Sequence, residues 1–281
     1  MDAGATFLQK SDAIDQNHPN ARLGFKAGNM AIDPKTHVIY QTFVSQFLED
    51  AANPNPTDYH VVYMAVSTDG GKTFTDHQVY ANPDPTVGYA HNFPNVTLDA
   101  AGNVYSVFSD DHNVYYSYSK DHGTTWSSPA RVNGAPANTA IFPWSSGGDA
   151  GEIDIAFYGT SFYDGSAPDG YPMSAAWHVY LAQNQHATSG GIFTQVAASP
   201  INHYGGVCEG GVACTGNRDL YDDFGIAASP TTGLASIIYD DDQYRNTPND
   251  PTPAGCTPAK SNTSACLHTE IATQVSGANI K

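Results

Sequence analysis

The chain has 281 residues and a formal net charge of −17, from 11 lysines and arginines against 28 aspartates and glutamates. A chain this acidic lacks the excess of basic residues that binds nucleic acid or an anionic membrane surface. The abundance of Gly (26), Pro (18) and Tyr (17) favours short strands joined by turns over helices. No segment has the roughly 18 consecutive apolar residues that cross a bilayer, so we expect no membrane insertion. The length suits one large all-β domain, residues 1–281, or two small ones.

Three segments along the chain share a strand-like pattern, residues 62–67, 114–119 and 179–184. The first two run directly into the sequence S-x-D-x-G-x-T-[FW], at 67–74 and 119–126, and the third reaches a degenerate version near 188–193. The residues that define the two full copies are Ser67, Asp69, Gly71, Phe74, Ser119, Asp121, Gly123 and Trp126. Ser and Asp side chains can accept backbone hydrogen bonds within a tight turn, and Gly supplies a positive φ. We therefore interpret these residues as structural turns.

A pair of apolar strands precedes each of these segments, near residues 29–40, 95–108 and 148–158, and another pair occurs near 225–239. The repeating unit is thus four strands, which we name A to D in chain order. The S-x-D-x-G-x-T-[FW] turns, placed between strands C and D of this repeat, resemble the Asp-box (BNR repeat) of sialidase-like β-propellers. The resemblance implies an all-β propeller of four-stranded antiparallel blades, of which about four are visible.

The two ends of the chain predict incomplete blades. Half of an Asp-box at 2–7 precedes a predicted strand D at 6–14, and the segment from His268 to Gln274 reads as a strand C. Either the N-terminal strand completes the last blade and closes a ring of four, or the chain is a piece of a longer, six-bladed sialidase-type propeller. An open ring would expose strand edges to unwanted pairing. Residues 1–4 do not show the charged and apolar regions of a signal peptide.

Strand direction sorts the loops into two faces. Successive antiparallel strands reverse, so the A–B and C–D turns share one face of the propeller and the B–C and D–A loops share the other. The B–C loops are predicted at 44–59, 109–113, 159–177 and 240–267, and the D–A loops at 81–93, 133–141 and 199–222. The long loops therefore gather opposite the Asp-boxes, which is where loops on a rigid scaffold carry function.

The loop face collects the candidate site residues, which are His91, Asp111, Trp144, Arg218, Tyr221, Asp222 and Arg245. Three of them have a structural alternative: His91 as a loop hydrogen-bonding residue, Trp144 as core, and Arg218 in a salt bridge to Asp219 or Asp222. The acidic run Asp240–Asp242 reads most simply as a solvated loop. A calcium site is the alternative there, since calcium takes clustered carboxylate oxygens; no other cofactor is required.

The four cysteines form two close pairs, Cys208/Cys214 and Cys256/Cys266, each around a loop rich in Gly, Pro, Asn or Ser. A local disulfide would restrict such loops in the unfolded state. A zinc site is the competing interpretation, but CxxC spacing and clustered His are absent from the sequence. We therefore predict two disulfides and a secreted or extracytoplasmic protein.

The resemblance implies a secreted sialidase-like glycoside hydrolase that acts on glycans, including acidic sugars. In that family three arginines bind the substrate carboxylate, a Tyr paired with Glu is the nucleophile, and an Asp is the acid/base. Carried over, Asp111 is the acid/base candidate, Tyr221 the nucleophile candidate, and Arg218 and Arg245 the carboxylate clamps, with His91, Trp144 and Asp222 as further substrate-binding candidates. The chain has only four arginines. The alternative is a non-catalytic propeller that binds glycans or protein partners through the same face.

Overall fold

The computed structural model describes residues 11–15, 26–47, 59–220, 222, 224–245, 250 and 252–281. The predicted all-β class is confirmed: the strands form four antiparallel sheets that follow one another along the chain. The half Asp-box at 2–7 and most of the predicted strand 6–14 lie outside the described residues. Within the described ranges, no helix has the length and apolar character needed to cross a membrane.

The strands are assigned to the four sheets in chain order. The first sheet contains β1 (Lys26–Ile32), β2 (Ile39–Ser45), β3 (Val61–Ser67) and β4 (Thr75–Ala81), and the second contains β5 (Asn95–Leu98), β6 (Val104–Ser109), β7 (Val114–Ser119) and β8 (Ala130–Arg131). The third contains β9 (Thr139–Gly147), β10 (Ile153–Thr160), β11 (Ala176–Asn184), β12 (Thr194–Ala197) and the short β13 (His203–Tyr204). The fourth contains β14 (Gly225–Ala228), β15 (Ala235–Asp241) and β16 (His268–Thr273).

The four sheets are arranged as propeller blades, because the first strand of each lies beside the first strand of the next: β1 beside β5, β5 beside β9, and β9 beside β14. Asn29 joins two of these inner strands by accepting the Val96 N–H at 2.7 Å and donating to the Val96 carbonyl at 3.0 Å. Glycine permits the close approach: a Cβ at Gly28 would lie 1.8 Å from the Pro94 carbonyl oxygen. The inner strands therefore pack along a common axis.

The hydrophobic core lies in layers between successive blades. In β6, Val104 and Phe108 face the first blade, whereas Tyr105 and Val107 face the third, as the two-residue period of a strand requires. Residues of the layer between the third and fourth blades include Tyr158, Trp177, Leu181, Ile237 and Tyr239. Aromatic side chains fill much of each layer and bury large apolar areas, which explains the tyrosine-rich composition.

Two C–D turns have the same hydrogen-bonding arrangement. Asp69 accepts the N–H groups of Lys72 and Thr73 at 2.9 and 3.0 Å and the Ser67 hydroxyl at 2.8 Å. In the second blade, Asp121 accepts the Thr125 N–H and both the Thr125 and Ser119 hydroxyls. These bonds favour the ionised carboxyl, first through the Thr125 hydroxyl, and lower the pKa of Asp121 to about 2.

The ends of the chain differ in part from the sequence prediction. The strand predicted at 268–274 is present as β16. Residues 11–14 are not in a strand, so the prediction of a strand at 6–14 is wrong for the residues that the structure describes. Instead, Asp15 donates its N–H to Asp76 at 3.0 Å, and Ile14 packs against Phe43 and Tyr63. The outer face of the first blade supplies an apolar surface, which stabilises this segment without strand pairing.

Candidate functional site

The B–C and D–A loops meet on one face, as strand parity predicts. His91, from the D–A loop of the first blade, places Nδ1 2.5 Å from Asp111 Oδ2 in the B–C turn of the second. On the other side, His203 Nδ1 lies 2.6 Å from Asp242 Oδ2, which joins the third and fourth blades. Side chains from separate blades are therefore within bonding distance across this face.

A cleft of about 320 Å³ opens on the loop face. Its walls come from β1, from the ends of the D–A loops and from the loop that Cys208 and Cys214 close. The lining residues are Lys26, His91, Phe93, Phe142, Cys208, Glu209, Gly210, Gly211, Val212, Arg218, Leu220 and Asp222. Carboxyl, cationic and aromatic groups thus converge in one concave space, the usual form of a small-molecule site.

Glu209, which lines the cleft, is linked through one buried amide to a second carboxyl group, that of Asp111. Asn92 Nδ2 donates to Asp111 Oδ1 at 2.8 Å and to Glu209 Oε1 at 2.6 Å. Because the same nitrogen binds both, the two carboxyl groups are at most two hydrogen-bond lengths apart. Asp111 has a φ of 71° in its tight B–C turn, a left-handed conformation that Asp tolerates better than most residues.

The two carboxyl groups differ in their surroundings. Glu209 is buried, and desolvation, followed by the nearby charge of Asp111, raises the pKa of Glu209 well above its ordinary range. Asp111 accepts hydrogen bonds at both oxygens, from Asn92 and from His91. Burial therefore favours the neutral form of Glu209, whereas hydrogen bonds hold both oxygens of Asp111.

Cations complete the cleft wall. Lys26 Nζ lies 4.5 Å from the centre of the Phe93 ring and donates to the His91 carbonyl oxygen at 3.3 Å. Burial lowers the pKa of Lys26, and the charges of Asp222, Asp111 and Glu209 oppose that shift. Arg218, in the loop that follows the Cys208–Cys214 disulfide, also lines the cleft. Two cations can thus face a ligand.

An aromatic hollow adjoins the cleft. Trp144, half-buried in β9, lines it with Phe93, Phe142, Pro143 and Asp222. Phe142 has a φ of 51° where the pairing of β9 with β10 shifts register. This β-bulge re-aims the inner strand next to the site.

The structure does not bring every candidate to the cleft. The Arg245 guanidinium lies over the Tyr244 ring at 5.6 Å, and its Nε donates to the Thr252 hydroxyl; Arg245 does not line the cleft. Tyr221 lies outside the described residues.

The reading of Asp240–Asp242 as a solvated loop is wrong, because all three residues are buried, with exposures of 7%, 0% and 0%. Asp242 is bonded to His203 and Gln243, and Asp241 accepts the Gln243 N–H at 2.7 Å. Protein donors thus compensate the burial. Among the described residues, no group of three or more His, Cys, Asp or Glu side chains is placed to hold a metal ion.

The sequence candidates did not include the charged residues Glu209 and Lys26, which line the cleft, or Asn92, which donates to Glu209. Asn92 stands next to the candidate His91, and Glu209 stands next to Cys208, so their positions in functional loops were visible. Both predicted disulfides, Cys208–Cys214 and Cys256–Cys266, are present. The first closes the loop that turns Glu209 into the cleft.

No protein-family model matches the sequence, and no curated protein is significantly similar to it. Similar solved structures include the NanB sialidase from Streptococcus pneumoniae (10% identity, TM-score 0.47, 89% of this chain and 31% of that one). Others are a Hadza microbial sialidase (11%, 0.49, 77% and 42%) and a PL25 ulvan lyase (15%, 0.45, 78% and 51%). This chain thus spans between about a third and a half of their lengths. At these values the matches assign neither family nor substrate.

Proposed function

We propose that this chain is a secreted, sialidase-like glycoside hydrolase that acts on glycans, with the cleft as its active site. The observation that carries the proposal is the pair of carboxyl groups bridged by Asn92, one buried with a raised pKa, the other an acceptor at both oxygens. Glycosidases use such a pair, one as acid and the other as base or nucleophile. The Asp-box-like turns and the four-stranded blades support the proposed similarity to sialidases.

The environment of each carboxyl group suggests its role. Glu209 donates its proton to the glycosidic oxygen as the bond from that oxygen to the sugar carbon breaks. Asp111 stabilises or attacks the positively charged carbon, and a water molecule then adds to that carbon and returns a proton to Glu209. Carboxyl groups about 5 Å apart suit retention of configuration, whereas inverting enzymes need about 6.5–9.5 Å. This assignment moves the acid from Asp111 to Glu209 and does not require Tyr221.

The cations and rings of the cleft suit an acidic sugar. Lys26 and Arg218 could face a substrate carboxylate, and a guanidinium can bind it through two hydrogen bonds. Phe93 provides an apolar ring surface in the cleft, and Trp144 provides one in the adjoining hollow. The two disulfides support secretion, since such bonds persist in oxidising compartments.

A non-catalytic glycan-binding propeller is the second candidate. Only Arg218 among the described arginines lines the cleft, whereas the sialidase-like family uses three for the substrate carboxylate. A cleft with an incomplete clamp would bind a glycan without cleaving it.

The test is to incubate the full chain with fluorogenic sialosides and neutral glycosides, and to titrate the corresponding free glycans. We expect turnover by the wild type, loss of turnover with retained binding in Glu209→Gln, and no change in Glu152→Gln, which removes a carboxyl group on the opposite face. Equal turnover by Glu209→Gln and the wild type would exclude the assigned acid. Binding without turnover by the wild type would favour the second candidate, and neither binding nor turnover would refute both.

A further inference from the structure

Asn92 is fully buried next to the cleft residue Glu209, and both of its side-chain polar atoms are hydrogen-bonded. Its Oδ1 accepts the N–H of Phe142 at 2.5 Å, while Nδ2 donates to Asp111 and Glu209. The bond to Glu209 spans 117 residues of sequence. Asn92 therefore links a loop of the first blade to the second and third blades.

The backbone of Phe142 fixes which way the amide points. A backbone N–H can only donate, so the Asn92 oxygen must face it and the nitrogen must face the two carboxyl groups. Phe142 sits at the register shift of β9 with a φ of 51°, and this bulge directs its N–H towards Asn92. The amide orientation is thus a consequence of the fold of the third blade.

The same bonds determine which oxygens are available for a proton. Asp111 accepts at Oδ1 from Asn92 and at Oδ2 from His91. Glu209 accepts at Oε1 from Asn92, which leaves Oε2 as the oxygen that carries the proton of its neutral form. Both carboxyl groups are therefore ordered by one side chain.

We propose that Asn92 is the positioning residue of this cleft: its amide, aimed by the Phe142 backbone, holds the two carboxyl groups at hydrogen-bond range and selects Oε2 as the proton-carrying oxygen of Glu209. Its catalytic meaning rests on the proposed function, but the positioning itself does not. A purely structural asparagine would stabilise its loops and leave the titration of Glu209 unchanged.

The test measures that titration directly, by the infrared band of the protonated carboxyl group in the full chain, with the Glu209→Gln variant to identify the band. The charged or titratable groups around Glu209 are Asp110, Asp111, Lys26, His91, Arg218 and Asp222. All of them are kept in Asn92→Ala. Loss of the donated hydrogen bond destabilises the ionised form of Glu209, so the midpoint should rise by about one pH unit.

Two further variants make the outcome decisive. Asn92→Asp keeps the size and the acceptor for Phe142 but replaces the donor by another carboxyl group, so the midpoint should rise at least as far. Asn133→Ala is the matched control, because Asn133 is buried and accepts the Val114 N–H at 2.9 Å and donates to the Ala137 carbonyl, without lining the cleft. It should lower stability and leave the midpoint unchanged.

An unchanged Glu209 midpoint in either Asn92 variant, with a stability loss like that of Asn133→Ala, would overturn the proposal. A raised midpoint in a protein that cleaves no glycoside would support the positioning role while the proposed hydrolase fails. If turnover is found, the alkaline limb of its pH profile should move upward in Asn92→Ala, as it reports the ionisation of the acid.

Discussion

Asp154 offers a sharp test of the energetics of this fold. It lies in β10, its exposure is 0%, and Oδ1 accepts a hydrogen bond from Gln183 at 2.9 Å. Oδ2 is buried without a hydrogen-bond partner among the described residues. Burial, followed by the charge of Glu152, raises the pKa of Asp154 from 3.8 to about 7, against the lowering effect of the Gln183 bond. The folded chain thus resists ionisation at this position.

The sign of the pH dependence follows from the direction of this shift. Below pH 3.8 the folded and unfolded chains both hold the proton, and Asp154 imposes no penalty. As the pH rises towards 7, the unfolded chain ionises while the folded chain stays neutral, so the free energy of unfolding falls. Above the folded pKa the penalty is complete, at about 4 kcal/mol. This is a large part of the 5–15 kcal/mol typical of a domain.

We therefore expect Asp154→Asn to remove most of this dependence. Urea unfolding of variant and wild type at pH 4 to 8 should give a stability difference that grows in favour of the variant by about 4 kcal/mol. The test is the change of the stability difference with pH, and not its value at any one pH. The new amide nitrogen also needs an acceptor, which shifts the stability of the variant equally at every pH. Asp149→Asn is the control, because it removes a neighbouring carboxyl group that is exposed in the turn before β10. A constant difference for Asp154→Asn would refute the reasoning.

Further substitutions test whether the C–D turns act only in stability and whether Arg218 acts in ligand binding. Asp121→Asn should lower the free energy of unfolding by about 1 kcal/mol, since it weakens a hydrogen-bonded turn, and thermal melting should show this with glycan binding intact; lost binding at unchanged melting would contradict the strand-parity argument. Arg218→Lys should weaken binding of a sialoside strongly and of a neutral glycan little, because Lys lacks the planar fork, whereas Arg245→Lys should change neither. Equal titration curves for the two variants would exclude Arg218 as a carboxylate clamp.

The blades could be predicted because residues close together in the sequence determine their strands and turns. The segments 62–67, 114–119 and 179–184 fall within β3, β7 and β11, where apolar and aromatic residues suit a buried strand. Asp69 and Asp121 bond within four residues of themselves, so their turns are also encoded nearby. The strand prediction was wrong for residues 11–14 because Ile14 packs against Phe43 and Tyr63 of the first sheet. A contact between segments so far apart in the chain has no local sequence pattern.

The cleft was predictable only in part, because burial there arises from contacts between distant segments. Strand parity placed His91 and Asp111 on one face, and the structure brings them together. Acidic residues in glycine-rich or charged runs are usually solvated, so no local pattern indicates that Glu209 is buried. The prediction of a solvated loop at Asp240–Asp242 was wrong for the same reason. The donors that compensate their burial come from residues as far away in the chain as His203.

The Cys208–Cys214 disulfide explains how a carboxyl group can stay buried in a glycine-rich loop. Cys208 and Cys214 enclose residues 209–213, and within this loop Glu209 points inward while Val212 is fully exposed. Gly211, with a φ of 58°, allows the reversal. Without the bond, a chain this rich in glycine would have the freedom to turn Glu209 out to water, where its ionised form is better solvated. Restricting that freedom is what a covalent crosslink does, so Cys208–Cys214 stabilises the one conformation in which Glu209 meets Asn92. Cys256–Cys266 closes a loop outside the cleft lining and has no such carboxyl group to hold.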